Sequence, residues 1–167
     1  MSVLPIHRFP DPILKQPARH VTHVDDEVKR LIEGLIRTMR HHPRCVGLAA
    51  PQVGSNLRVV VMDATAHPKV TMSHGLLILV NPVIVTAEGA AVQREGCLSI
   101  PDFTANVRRA TRVCVRASDE VGMLREFWLE GFEAIVAQHE TDHLDGTLFL
   151  DRVVNLTTDV FKRKTYF

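Results

Sequence analysis

No stretch of this chain is long and apolar enough to cross a membrane; the longest apolar run, residues 76–80, is strand-sized. No charged-then-apolar leader is read across residues 1–12. Cysteine is scarce: three residues, an odd number without paired spacing, argue against a disulfide framework and for a reducing compartment. A dominant charge is missing too. Twenty basic and nineteen acidic residues leave a formal charge of +1, which removes any bulk electrostatic case for sequence-specific nucleic acid or an anionic membrane. Internal repeats, low-complexity tracts and linker-like segments are also lacking. What remains is one domain over residues 1–167, with near-average hydrophobic content of 46%, expected to be soluble and cytoplasmic. An organellar stroma or matrix protein whose transit peptide has been removed would read the same way.

The clearest helix is carried by Val28, Leu31, Ile32, Leu35, Ile36 and Met39, one face of a 3.6-residue period. Asp25, Asp26 and Glu27 fit its first turn, Arg37, Arg40, His41 and His42 its last, and Pro43 stops it. Strands are expected at residues 57–62, 76–80, 83–85, 107–117 and 124–129, with Asn81-Pro82 and residues 120–122 as turns. A second helix is predicted from Gly131 to about Leu144 with Gly146 as its stop, and a short helix in residues 155–167. The order helix, sheet, helix predicts an α+β fold: mixed or antiparallel sheets around a central helix, with an N-terminal amphipathic helix. The clusters Arg108, Arg109, Arg112, Arg116 and Lys162, Arg163, Lys164 read as solvated faces.

The second helix carries chemistry. Within Gln138-His139-Glu140-Thr141-Asp142-His143 stands the pattern HExxH. Residues four apart share a helix face, so His139 and His143 can bind one ion, and Glu140 can reach a water on that ion without being a ligand. Phe132, Ile135 and Val136 continue into these residues as one stripe, expected to face the core. Burying two imidazoles and a carboxylate without partners costs on the order of several kcal/mol, and a metal removes that cost. Catalytic sites of this kind usually have three protein ligands and one open position. No His follows His143 and no Glu follows Glu140, so the third ligand must lie upstream. Cys114, between Val113 and Val115, reads as a small core residue. Cys97, preceded by Gly96 and followed by Pro101, is favoured over Cys45 as a loop thiolate, with Gly96 allowing close approach.

Three segments, Gly47-Leu48-Ala49-Ala50-Pro51-Gln52-Val53-Gly54, Glu95-Gly96-Cys97-Leu98-Ser99 and the HExxH run, resemble the three motifs of the peptide deformylase family, in that family's order. Phe9-Pro10-Asp11-Pro12-Ile13-Leu14 matches its usual opening, and the likeness runs from about residue 3 to residue 152. The resemblance implies a metal-dependent hydrolase that removes the formyl group from N-formyl-methionyl nascent peptides, releasing formate, near the ribosomal exit tunnel of a bacterium or organelle. It implies Cys97, His139 and His143 as metal ligands and a ferrous ion as the working metal, with Zn(2+), Ni(2+) or Co(2+) as substitutes. It implies Glu140 as proton carrier, and Gln52 and the backbone N–H of Leu98 as donors to the formyl oxygen. Val46, Phe132, Ile135 and Val136 would line a methionine pocket, Gly47 and Gly96 would also contact substrate, and the edge near Gly96 and Val46 would take an extended peptide as an added strand. Glu95 and Asp142 would orient ligands or Arg109.

The chain departs from that pattern in places. The family usually has glycine where Cys45 stands, so a side chain there would crowd the cleft mouth or expose a reactive thiol. Many members carry an arginine near Thr104, and after Leu150 the likeness fades. Competing readings are an HExxH peptidase, a metal-stabilised binding protein without turnover, and an enzyme of altered substrate preference. An intact Glu140 and Gln52 argue against the second, since structural metal sites need neither.

Overall fold

Asp25, expected within the first turn of the first helix, stands just before it as its cap: its carboxylate accepts from the Val28 N–H at 3.0 Å. The structure is a computed structural model describing residues 2–164. Helix α1 spans Asp26–His41, and His42 closes it as the C-cap. Its stripe of Val28, Ile32, Leu35 and Met39 is buried against Leu48, Val59 and Val61.

The strands are β1 (Gly47–Ala49), β2 (Val59–Met62), β3 (Leu77–Glu88), β4 (Ala91–Cys97), β5 (Ile100–Arg109), β6 (Arg112–Ser118) and β7 (Leu124–Glu130). A five-stranded sheet runs in the order β1-β2-β3-β6-β7, with antiparallel pairing throughout. Strand β2 explains the unbroken apolar run of its sequence. Val59 and Val61 point to the α1 side, while Val60 and Met62 join a second core on the other face. Both faces of β2 are covered, so period-two polarity has no reason to appear.

Two strand boundaries fall differently from expectation. Asn81-Pro82 does not end a strand, because β3 runs on through it with a register shift between Val80 and Val83. Asn81 takes φ 53°, and its side-chain amide is bonded in both directions to the Val21 backbone, at 2.8 Å each. Pro82 cannot donate to a ladder, so a bulge is where it fits. The single strand expected over residues 107–117 is two strands. Its first part ends β5 in the small sheet, and after a turn at Ala110-Thr111 the rest forms β6 in the large one.

Helix α2 (Gly131–Leu144) starts at Gly131, φ 56°, directly after β7. Ala134, Val136, Ala137 and Leu144 pack into the core under the five-stranded sheet, while His139, Glu140 and His143 are buried on another side. The helix is enclosed all round rather than along one stripe. Gly146, φ 70°, follows it; a Cβ there would stand 2.7 Å from the Lys15 backbone.

The tail differs from the helix expected over residues 155–167. One helical turn, α3 (Leu156–Asp159), leads into β8 (Val160–Lys162), which pairs with β5 to complete a second sheet, β4-β5-β8. The last part of that expected helix, residues 165–167, lies outside the described residues. The architecture is α+β with antiparallel sheets.

Candidate active site and metal centre

His139 and His143, one turn apart on α2, meet Cys97 where β4 ends. Cys97 stands on a strand end, not the expected loop, and Leu98-Ser99 make a two-residue turn into β5. One possible ligand atom from each of the three residues lies within 4.8 Å of the others, and Cys97 Sγ is 3.3 Å from His143 Nε2. One soft thiolate and two imidazoles suit a transition-metal ion. Burial alone would push the Cys97 thiol up. The adjacent His143 and His139 outweigh it and hold the thiol well below its ordinary value, which favours the ligating form. Glu140 Oε2 and His143 Nδ1 are buried with no hydrogen-bond partner among the described residues, as expected of groups shaped for something further.

Gln52 reaches the centre from the short helical turn Ala50–Val53. Its Oε1 accepts from the Ala49 N–H at 3.0 Å, which turns the amide nitrogen toward Cys97 Sγ (3.3 Å) and Ser99 Oγ (3.2 Å). The N-terminal segment ties both turns together: His7 N–H donates to Gln52 O and Phe9 N–H to Ser99 O. Gly47 on β1 faces Glu140 so closely that a Cβ would lie 2.7 Å from Oε1.

Behind this candidate metal cluster runs a buried ion network. Glu95 Oε1 lies 2.8 Å from His139 Nδ1, while both its oxygens take the Arg109 guanidinium at 2.8 and 2.9 Å. Arg109 also donates to Asp142 Oδ2 at 2.6 Å, and Arg152 holds the other Asp142 oxygen at 2.6 Å. Arg109 is therefore no solvated residue of a basic face but a buried one. With Nδ1 bonded to Glu95, His139 presents its Nε2 to the centre.

The cleft above, about 250 Å³, is lined by Val46, Gly47, Gln52, Gly96, Leu98, Phe132, Ile135, Val136 and Glu140. The stripe of α2 that reads as core thus includes the cleft wall. Sequence reasoning missed other parts. Ser99 orients Gln52, His67 stacks on Phe132 at 3.7 Å between centroids, and Arg152 completes the ion network. Ser99 stands inside a quoted motif, so a buried hydroxyl there was within reach; nothing in the sequence marks His67. Cys45 lines the cleft as expected, yet burial, then the Glu140 carboxylate, push its thiol up to about 12. It is no ready nucleophile.

The family model for polypeptide deformylase matches residues 3–159. The chain belongs to the polypeptide deformylase family. A peptide deformylase of Syntrophobacter fumaroxidans is 42% identical over 164 residues, covering 98% of this chain and 94% of its own. The crystal structure of peptide deformylase from Thermotoga maritima superposes with a TM-score of 0.84 at 38% identity, over 93% of this chain and all of that one. The peptide deformylase of Acinetobacter baumannii bound to Met-Ala-Ser gives 0.84 at 33% identity, over 91% of this chain and 99% of that one. Deformylases remove the N-formyl group from nascent peptides, and this chain is such a hydrolase, serving protein biosynthesis. The family is metal-dependent, and the Cys97, His139 and His143 cluster is where a deformylase of this sequence can hold its ion. No helix among the described residues is long and apolar enough to cross a membrane.

Proposed function

We propose that the deformylase chemistry of this chain is carried by Cys97, His139 and His143 as metal ligands, with Glu140 as general base and then acid. Gln52 and the Leu98 N–H act as donors to the formyl oxygen. A divalent ion held by the thiolate and two imidazoles supplies Lewis-acid activation of water and of the formyl carbonyl near neutral pH. The ferrous ion is our choice by family likeness, and zinc, nickel or cobalt fit the same donors.

Glu140 accepts the proton as water attacks the formyl carbon, then gives it to the departing methionine nitrogen. Burial raises its carboxyl above the ordinary value despite the neighbouring His139 and His143, which brings it nearer the working pH. Charge gathers on the formyl oxygen during attack, and fixed neutral donors stabilise it without bringing a counter-charge. Gln52 fits that role because the Ala49 N–H has already aimed its amide. Leu98 sits in the two-residue turn after Cys97, so its N–H is placed by the same hairpin that places the thiolate. Val46, Phe132, Ile135 and Val136 give the methionine side chain an apolar seat beside His139. Strands β1 and β4 are each at the edge of their sheet, and an extended peptide adds there as a further strand at Gly47 and Gly96.

The observation that carries this reading is the convergence of three ligand atoms within 4.8 Å beside a buried Glu140. We take the chain to act as one catalytic domain on peptides leaving the ribosome, in a bacterial cytoplasm. The test is formate release from formyl-Met-Ala-Ser by anaerobically purified, ferrous-loaded protein. Glu140→Ala should lower turnover by roughly 100- to 10,000-fold with metal still bound. Metal-loaded wild-type protein that releases no formate would sink the reading.

A further inference from the structure

Gly96 lacks a side chain, and the guanidinium of Arg163 takes the room: a Cβ built on Gly96 would stand 2.4 Å from Arg163 Nη2 and 3.3 Å from its Cζ. Arg163 arrives from the C-terminal strand, past Thr104, whose Cγ2 is 3.4 Å from the same point. Its backbone is fixed. The Arg163 N–H donates to Asp102 O at 2.8 Å, the preceding residues pair with β5, and the Arg94 guanidinium covers the Phe161 ring at 3.5 Å. A cation is thus anchored over Gly96 in the wall of the cleft that Cys97 and Leu98 also line.

The mouth around it is basic in a chain of net charge +1. Arg44, Lys69 and Arg94 line the same cleft. The acidic lining residues, among those described, are Glu95 and Glu140; both are buried, and Glu95 is held by Arg109 and His139. Past the formyl-methionine, an extended peptide advances about 3.3 Å per residue. A peptide added along the β4 edge carries its next residues by Gly96, under the guanidinium.

We propose that Arg163 is a specificity-determining residue that binds a carboxylate carried on the second or third residue of the formylated peptide. This rests on the deformylase reading and adds to it a preferred substrate class. A planar guanidinium pairs with a carboxylate through two parallel hydrogen bonds, and partial burial keeps salt from screening the pair fully. The carboxylate is either an acidic side chain or the free end of a short peptide.

The experiment compares KM for formyl-Met-Ala-Ser-amide, formyl-Met-Ala-Asp-amide, formyl-Met-Asp-Ser-amide and formyl-Met-Ala-Ser with its free carboxylate. All are assayed on metal-loaded wild type, Arg163→Ala, Arg163→Lys and Lys162→Ala. Wild type should favour the carboxylate-bearing substrates by about fivefold or more in KM, with kcat little affected. The amide with aspartate and the free acid separate side chain from terminus as the source. Arg163→Ala should erase the preference and Arg163→Lys should restore part of it. Lys162→Ala, at the exposed preceding residue that ends β8, should keep it. No preference in wild type overturns the proposal, as does equal loss on all four substrates in Arg163→Ala. If that variant does not fold, an undiminished preference in Arg163→Lys overturns the fork-like pairing. Failure of wild type on the neutral amide is a separate result and strikes the deformylase reading itself.

Discussion

Arg109 and Glu95 meet fork to fork at 2.8 and 2.9 Å, both almost wholly buried, and the same carboxylate lies 2.8 Å from His139 Nδ1. A charge pair in the protein interior thereby sets the orientation of His139, one of the three residues of the candidate metal cluster. Removing one partner of a buried pair strands the other, so Glu95→Ala should destabilise the fold by roughly 3–5 kcal/mol. Glu95→Gln keeps shape while weakening the hold on His139. It should lower metal affinity about 10- to 100-fold, read by competition with a chelator. A Gln variant with native affinity would make the pair a purely structural one.

The same group gives the fold a pH dependence. Burial alone would raise the Glu95 carboxyl, but hydrogen bonds from Arg109 and His139 outweigh it and hold it at about 2, against an ordinary 4.5. The folded protein therefore binds fewer protons here than the unfolded chain. Its stabilisation is complete above about 4.5 and is lost as pH falls toward 2, for a total of roughly 3 kcal/mol. Urea midpoints measured from pH 6 down to pH 2.5 should fall less steeply for Glu95→Gln than for wild type. Parallel curves would mean that other carboxylates govern acid unfolding.

The two cysteines at the cleft should behave oppositely toward an alkylating reagent. Cys45 has its thiol pushed up to about 12, by burial first and then by the Glu140 charge. Cys97 is pulled well below its ordinary value by His143 and His139 in spite of burial. The thiolate is the reactive form. After metal removal, iodoacetamide at pH 7.5 should label Cys97 ahead of Cys45, as located by mass spectrometry, and bound metal should protect Cys97. Preferential labelling of Cys45 would contradict the electrostatics of the cleft.

How far the sequence could be read depended on where polarity was decisive. Helix α1 shows its whole stripe because one face is wet, whereas α2 is buried all round and shows itself through His139, Glu140 and His143. Strand β4 and all of β5 before Val107 went unrecognised. Gln93, Arg94, Glu95, Asp102 and Asn106 look like loop residues, and the partners that satisfy them, Arg109 and β8, lie far along the chain. Arg109 read as solvated from its local run of arginines, and only the family likeness pointed to Glu95 and Asp142, 14 and 33 residues away, as its carboxylates. His139 and His143 stand out because HExxH sets residue types at a fixed spacing, and the structure brings Cys97 to them as a cluster that could hold an ion. His67 and Arg163 join the cleft, and Ser99 meets Gln52 behind it, only through tertiary packing.

Gly47 shows how little room Glu140, the proton carrier we propose, has. A Cβ on that residue would lie 2.7, 2.8 and 2.9 Å from Glu140 Oε1, Cγ and Cδ, all closer than real Cβ contacts permit. The β1 backbone is held by its ladder to β2, so the Glu140 side chain is what must move. It does not ligate the metal in our assignment, so binding of the ion should hardly change. A displacement approaching 1 Å from a productive position costs on the order of 100-fold in rate. Gly47→Ala should therefore lose about that factor in kcat while keeping its metal stoichiometry. It should also lose most of the further effect of Glu140→Ala, because the two changes disable one group. Independent, multiplicative losses in the double variant would show that Gly47 acts on the substrate instead, through the strand edge it shares with the bound peptide.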